Sequence, residues 1–339
     1  MKRELLKTID AGLSVTGIAA AYARLADCEG AVILMYHTVA DREDAPFVDP
    51  RNHLPPAVFR RQLSFLAEHR SVISLDDLIA CLEAGETPPR GTVVITFDDG
   101  YRDNLAVAAP LLAEFELPAT LYLATGYIDD AENQWIDEAY CCFAFRSRDT
   151  YQPPDWPRSW ALKNPAFEKQ AHYRLCSFLL TADRATRTAA LQSAREQLQP
   201  VRDPPRLTLT WDEVRRLRRD YPLFTVGAHT HDHLDLSAVD LNCAVEDLKR
   251  CTETIHRETG ERPRHFSYPY GRRAEAFDNH LQTCHYRSAV AAGSDTLLRP
   301  GADHVALARV EAPASEARFK YYTGGAYPRL SRLLTGRPR

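Results

Sequence analysis

Three stretches of this 339-residue chain put chemically capable side chains where a strand would end. In GTVVITFDDG, residues 91–100, a β-branched apolar run stops on two adjacent carboxylates, Asp98 and Asp99. Neighbouring carboxylates repel, so a pair held together usually has a cation or a shared proton nearby. A plain helix cap is the alternative use of such aspartates. In VGAHTHDHLDL, residues 226–236, His229 and His233 lie four apart. On one helical turn both rings would face the same way, a spacing that suits a divalent metal, with His231 pointing elsewhere. Two imidazoles plus Asp99 leave open positions on a cation, the pattern of a catalytic rather than a structural site. In FSYPYGRR, residues 266–273, a Tyr-Pro-Tyr-Gly turn follows a third strand, and a backbone N–H there can face the site.

The elements that must position these residues alternate. The apolar run from Ala31 to Tyr36 reads as a buried strand, and Pro56 opens a helix with Val58, Phe59, Leu63, Phe65 and Leu66 largely on one face. Ser74 caps a second helix that ends near Gly85. Thr92 to Phe97 is a strand, Asn104 to Phe115 a helix that Pro110 delays or kinks, and residues 118–124 a strand again. The pattern resumes with a Thr210-capped helix at Trp211, a strand at 223–228, a long helix from Ser237 to Thr259, and strands at 265–268, 288–291 and 305–310. This is βαβ order, so the strands are expected to run parallel with helices outside, and ligands to bind at strand C-termini. Residues 127–207 break the pattern. They carry Trp135, Trp156 and Trp160 and a helical run from Pro165, and read as an insertion over one end of the core.

Composition sets limits. The chain is 45% hydrophobic and 26% charged, enough for a sizeable core, and 42 Lys+Arg against 46 Asp+Glu gives a net charge of −4, no signature of a nucleic-acid binder. Eight scattered cysteines without a CxxC pair read as reduced, mostly buried thiols. Residues 1–30 contain a mildly apolar run from Ala11 to Tyr22 that is too short and polar to span a bilayer and weak as a signal peptide; an amphipathic helix is expected. With the basic, intermittently apolar tail at 321–339, it would allow peripheral membrane association and a cytoplasmic protein at the inner face of a membrane.

The three motifs in this order resemble the polysaccharide deacetylase family, carbohydrate esterase family 4: TFDDG at residues 96–100, H-[ST]-x-x-H from His229 to His233, and part of an R-x-P-Y turn at residues 268–271. The resemblance covers residues 31–312 apart from the insertion and implies an α/β fold, a distorted (β/α) barrel with fewer than eight regular strands, here in a domain of residues 31–320 with a mainly helical insertion. It implies removal of an N-acetyl group from an amino sugar with one divalent metal, zinc first, with cobalt, nickel, manganese or iron as alternatives. Carried over, Asp98 is the base that takes a proton from water, Asp99, His229 and His233 bind the metal, and the Tyr270 N–H helps hold the oxyanion. Tyr101, Tyr268 and Trp135 are expected to touch the glycan. Two departures stand out. Ser267 and Tyr268 occupy the place of the third motif's arginine, and the late catalytic histidine is absent. Members with a rearranged motif order use an early Tyr-His, matched here by Tyr36-His37, so His37 is the candidate acid for the leaving amine; Arg309, in LARVEA, is the candidate to orient Asp98. A hydrolase of a non-sugar C–N bond and an inactive glycan-binding protein on the same fold are the competing readings.

Overall fold

The computed structural model describes residues 28–293 and 296–325; the expected N-terminal helix and nearly all of the basic tail lie outside the described residues. Seven parallel strands follow one another around a closed barrel: β1 (Ala31–Tyr36), β2 (Thr92–Phe97), β3 (Ala119–Leu123), β4 (Phe224–Ala228), β5 (His265–Ser267), β6 (Ser288–Ala292) and β7 (Leu307–Glu311), with β7 pairing back onto β1 through Ile33 and Arg309. A two-residue strand, Ser71–Val72, adds to the lower end of β2. The expected distorted barrel of fewer than eight regular strands is therefore the fold.

The pleat of β2 shows why its run is apolar on both faces. Val93, Ile95 and Phe97 join an outer core with Phe59, Leu63 and Leu66 of α1 (Pro56–His69). Val94 points the other way, into a lumen filled by Ala31, Ile33, Tyr122, Val290 and Leu307. Such strands are buried on both sides and read as continuous hydrophobic runs. Helix α2 (Leu75–Glu83) is capped by Ser74, which accepts from the Asp77 N–H, and packs Leu75, Leu78, Ile79 and Leu82 against the same lumen residues. Each fully buried leucine contributes about 1.5–3 kcal/mol, so that end of the barrel is firmly closed. Gly227 on β4 stands against the Tyr122 ring, where a Cβ would come within 2.5 Å of it.

One helix is delayed at its proline as expected, and another starts later than expected. Residues 104–108 form a single π turn before α3 (Ala109–Glu114). Pro110 has no N–H to donate, and the widened turn accommodates the missing bond. After α4 (Thr125–Asp129) come the insertion helices α5 (Trp135–Ala144), α6 (Pro165–Thr181) and α7 (Arg184–Leu198), joined by a small antiparallel pair at Thr150–Tyr151 and Trp160–Ala161. They share a core of their own that includes Tyr127, Trp135, Phe143, Leu175 and Leu198. Helix α8 (Trp211–Asp220) opens with a complete Thr210/Glu213 capping box. Helix α9 (Leu241–Thr259) begins four residues later than Ser237, because the Ser237 hydroxyl and N–H both turn back to Asp235 Oδ1 and Asp240 caps the helix instead. No disulfide joins any two of the eight cysteines. Among the described residues no helix is long and apolar enough to cross a membrane.

Candidate active site

The pleat of β2 would send Asp98 and Asp99 to opposite faces. Asp98 continues the inward series of Val94 and Thr96, and Asp99 then adopts φ 74°, a left-handed backbone in which aspartate is among the more tolerated residues. The two carboxylates, which the pleat alone would separate, instead converge on His229, whose Nε2 lies 3.8 Å from Asp98 Oδ2 and 3.6 Å from Asp99 Oδ1.

The histidine pair is brought together by a loop rather than by a helical turn, which corrects the spacing argument. Residues 229–236 carry no helix, and Thr230 and His233 take φ values of 64° and 50°. Two buried charges hold this strained loop from its two polar sides. Asp247 of α9 accepts the N–H groups of His231 (2.6 Å) and Asp232 (2.8 Å), and burial pushes its carboxyl up to about 7 despite those bonds. Arg187 of α7 donates to the carbonyls of Asp232 (2.9 Å) and His233 (3.1 Å). His231 points away, as expected, with Nδ1 on the Thr125 hydroxyl at 2.8 Å.

The hydrogen bonds assign the tautomers of the pair. His229 Nδ1 lies 2.7 Å from the Ser267 carbonyl, which can only accept, so Nδ1 carries the proton and Nε2 presents a lone pair. His233 Nδ1 lies 3.0 Å from the Tyr270 hydroxyl, which donates its own proton to the His233 carbonyl at 3.1 Å and so receives the Nδ1 proton. Both Nε2 atoms, 3.2 Å apart, face Asp99 Oδ1, itself 3.2 Å from His233 Nε2. That oxygen is buried with no hydrogen-bond donor of its own. Three lone pairs at 3.2–3.6 Å repel one another unless a cation sits among them, and a tetrahedral ion with bonds of about 2.1 Å separates its ligands by about 3.4 Å. The three residues also form the one cluster of metal-capable side chains among those described. Burial lowers the His229 pKa to about 4, so the ring is neutral and ready to ligate.

Asp98 is gripped by Arg309 of β7 through Nη1–Oδ1 at 2.7 Å and Nη2–Oδ2 at 2.6 Å. Arg309 also donates to Thr96 Oγ1 and, at 2.8 Å, to Ser267 Oγ. Ser267 stands where the third motif lacks its arginine, and the small hydroxyl leaves room for the guanidinium arriving from β7, two strands away. Burial would raise the Asp98 pKa, but the Arg309 guanidinium more than offsets it and holds the group well below the usual carboxylate range. His37 follows β1 directly, half-buried, and lines the same mouth as Arg309. A cavity of about 560 Å³ opens there, lined by His37, Asn52, Arg309 and Glu311 among others.

The three expected glycan contacts are placed differently. Tyr101 is fully buried, donating to Asp137 Oδ2 at 2.8 Å and accepting from Asn52. Tyr268 is fully buried against Phe266 and donates to Asp278 at 2.7 Å. Trp135 is 5% exposed and spends its Nε1–H on the Tyr270 hydroxyl at 2.8 Å. None offers a sugar-stacking face. Tyr270 sits on the turn after β5 with φ 58°, its ring 4.7 Å from that of His233. Sequence reasoning missed Arg187 and Asp247. A signal existed for both, since each is a charge on a buried stripe: Arg187 with Ala190, Ala194 and Leu198, Asp247 with Ala244, Leu248 and Cys251.

Residues 85–289 match the family model described as polysaccharide deacetylase. No curated protein matches the chain. Among solved structures, IcaB from Ammonifex degensii is 17% identical with a TM-score of 0.58, covering 88% of this chain and 99% of its own. The Streptococcus pyogenes deacetylase PplD, solved with acetate, is 15% identical at TM-score 0.57 over 88% and 98%. A de-N-acetylase from Aggregatibacter actinomycetemcomitans is 16% identical at TM-score 0.57 over 86% and 99%. At these identities the likeness is one of fold.

Proposed function

The chain belongs to the polysaccharide deacetylase family, and from that premise we propose that it hydrolyses the N-acetyl group of an amino sugar, in a polysaccharide, lipid-linked or other glycan precursor, with one divalent cation held by Asp99, His229 and His233. The observation that carries this reading is the convergence of three unprotonated ligand atoms at 3.2–3.6 Å beside a clamped, uncoordinated carboxylate, Asp98. When bound, the cation lowers the pKa of water and polarises the acetamide carbonyl. Asp98 takes the proton of the attacking water, and Arg309 keeps its carboxylate ionised and aimed. The Tyr270 N–H supports the oxyanion on the turn after β5. His37 gives a proton to the departing amine, so that water and amide become acetate and a free amino sugar. Zinc suits two imidazoles and a carboxylate best; cobalt, nickel, manganese and iron fit the same donors.

The amphipathic sequence at residues 1–30 and the basic one at 321–339 support action on a cell-envelope precursor at the inner face of a membrane, to be checked by fractionation of the full chain. The central test is acetate release from a panel of N-acetylated glycans and lipid-linked sugars by metal-loaded wild type, Asp98→Asn and His229→Ala. Acetate from wild type alone supports the reading. No acetate from any glycan, with cation bound through His229, sinks it in favour of a non-sugar amidase or a glycan-binding protein.

A further inference from the structure

We propose that Arg187, carried by the insertion, is a positioning residue for His233, so that the insertion sets the cation affinity of a site whose ligands all come from the barrel. This rests on the reading that Asp99, His229 and His233 hold a cation. The two histidines are oriented by different parts of the molecule. His229 is held by the Ser267 carbonyl at the end of β5, within the barrel. His233 is held by Tyr270, whose hydroxyl is approached by two groups from the insertion, Trp135 Nε1 at 2.8 Å and Arg187 Nη2 at 3.3 Å.

Arg187 is 2% exposed, and all its described hydrogen bonds go to neutral oxygens: the carbonyls of Leu179, Asp232 and His233 and the Tyr270 hydroxyl. A buried guanidinium without a carboxylate is expensive, and α7 would pack more cheaply with leucine there. What the cation does in that place is geometric. Its two bonds to successive carbonyls hold the left-handed backbone of His233, and its approach to Tyr270 helps fix the oxygen that receives the Nδ1 proton. Both effects aim Nε2 at Asp99 Oδ1. Outer partners of ligating histidines typically matter by about 10–100-fold in metal affinity.

The test measures zinc affinity by competition with a chromophoric chelator and the visible spectrum of the cobalt-loaded protein, beside the melting temperature of the apo form. Arg187→Met and Trp135→Phe should each bind zinc about 10–100-fold more weakly and alter the cobalt spectrum. Arg187→Lys should recover part of the loss. Tyr173→Ala, on the exposed side of α6, should match wild type and excludes general damage to the insertion. Should Arg187→Met fail to fold, Arg187→Lys and Tyr270→Phe, the latter removing a single hydroxyl, carry the test. Wild-type affinity and spectrum in the folded variants would overturn the inference and leave the proposed function standing. A wild type that takes up no cation, or takes it up equally well as His229→Ala, would overturn both.

Discussion

Arg309 and Asp98 face each other as two parallel hydrogen bonds, 2.7 and 2.6 Å, at the open end of a seven-stranded barrel, from strands that lie on either side of β1. Asp98 and Arg309 are 3% and 5% exposed, so solvent compensates little of either charge. It explains how a carboxylate in a buried mouth stays ionised and why the chain tolerates serine where the family motif has arginine.

Removing the guanidinium should act on both stability and pH profile. Breaking a buried pair by deleting one partner costs about 3–5 kcal/mol, so Arg309→Met should melt markedly lower. Asp98 has a folded pKa depressed below its unfolded value; its stabilising contribution is present above about pH 4 and is lost as pH falls through the folded value. In Arg309→Met that contribution disappears, and the acid limb of the rate profile should move to higher pH. An unmoved acid limb in a folded variant would argue that Asp98 is not the base.

Asp98→Asn should keep the cation and lose about 10²–10⁴-fold in acetate release, measured at fixed metal loading. His229→Ala should lose both, since it removes one of three ligand atoms.

Chelation should abolish acetate release and lower the melting temperature of wild type, because a bound cation at a hundredfold excess over its dissociation constant contributes about 2.7 kcal/mol. Asp99→Asn should melt at the same temperature with and without chelator. A chelator-dependent shift of wild-type size in Asp99→Asn would mean that the ion sits elsewhere.

Asp137, in the insertion, gives a pH signature of the opposite sign. Burial pushes its carboxyl up to about 8, against the bonds it accepts from the Asp49 N–H and Tyr101. A raised acid binds its proton more tightly folded than unfolded, so its stabilising contribution is full below about pH 4 and is lost as pH rises towards 8. The melting temperature of wild type should therefore fall between pH 6 and about 8.5, and Asp137→Asn should flatten that fall. An equal slope in the variant would show that Asp137 is ionised throughout.

Tyr268→Phe should leave KM for the best glycan unchanged and cost about 1 kcal/mol of stability through the lost bond to Asp278. A raised KM would restore Tyr268 to the substrate site.

Much of the site was legible along the chain because its chemistry is local. Asp98, Asp99, His229 and His233 stand at strand ends that an alternating apolar pattern locates without coordinates, and β1 and β2 begin and end at the residues the pattern marks. The resemblance supplied Arg309 and His37, which strand closure then brings to the same mouth. What the chain could not show were relationships set by backbone sign and by long-range packing. The histidine spacing suggested a helical turn, whereas two left-handed residues make the loop, and φ is not written in a four-residue interval. An aromatic beside a motif reads as a substrate contact, yet Tyr101, Tyr268 and Trp135 are spent on the core and on Tyr270, because burial depends on what an insertion places over them. Residue type and periodicity determined the strands and the candidate side chains at their ends. Only the tertiary structure decided what holds the histidine loop, because Arg187 and Asp247 reach Asp232 from helices across sequence separations of 45 and 15, contacts that no local pattern records.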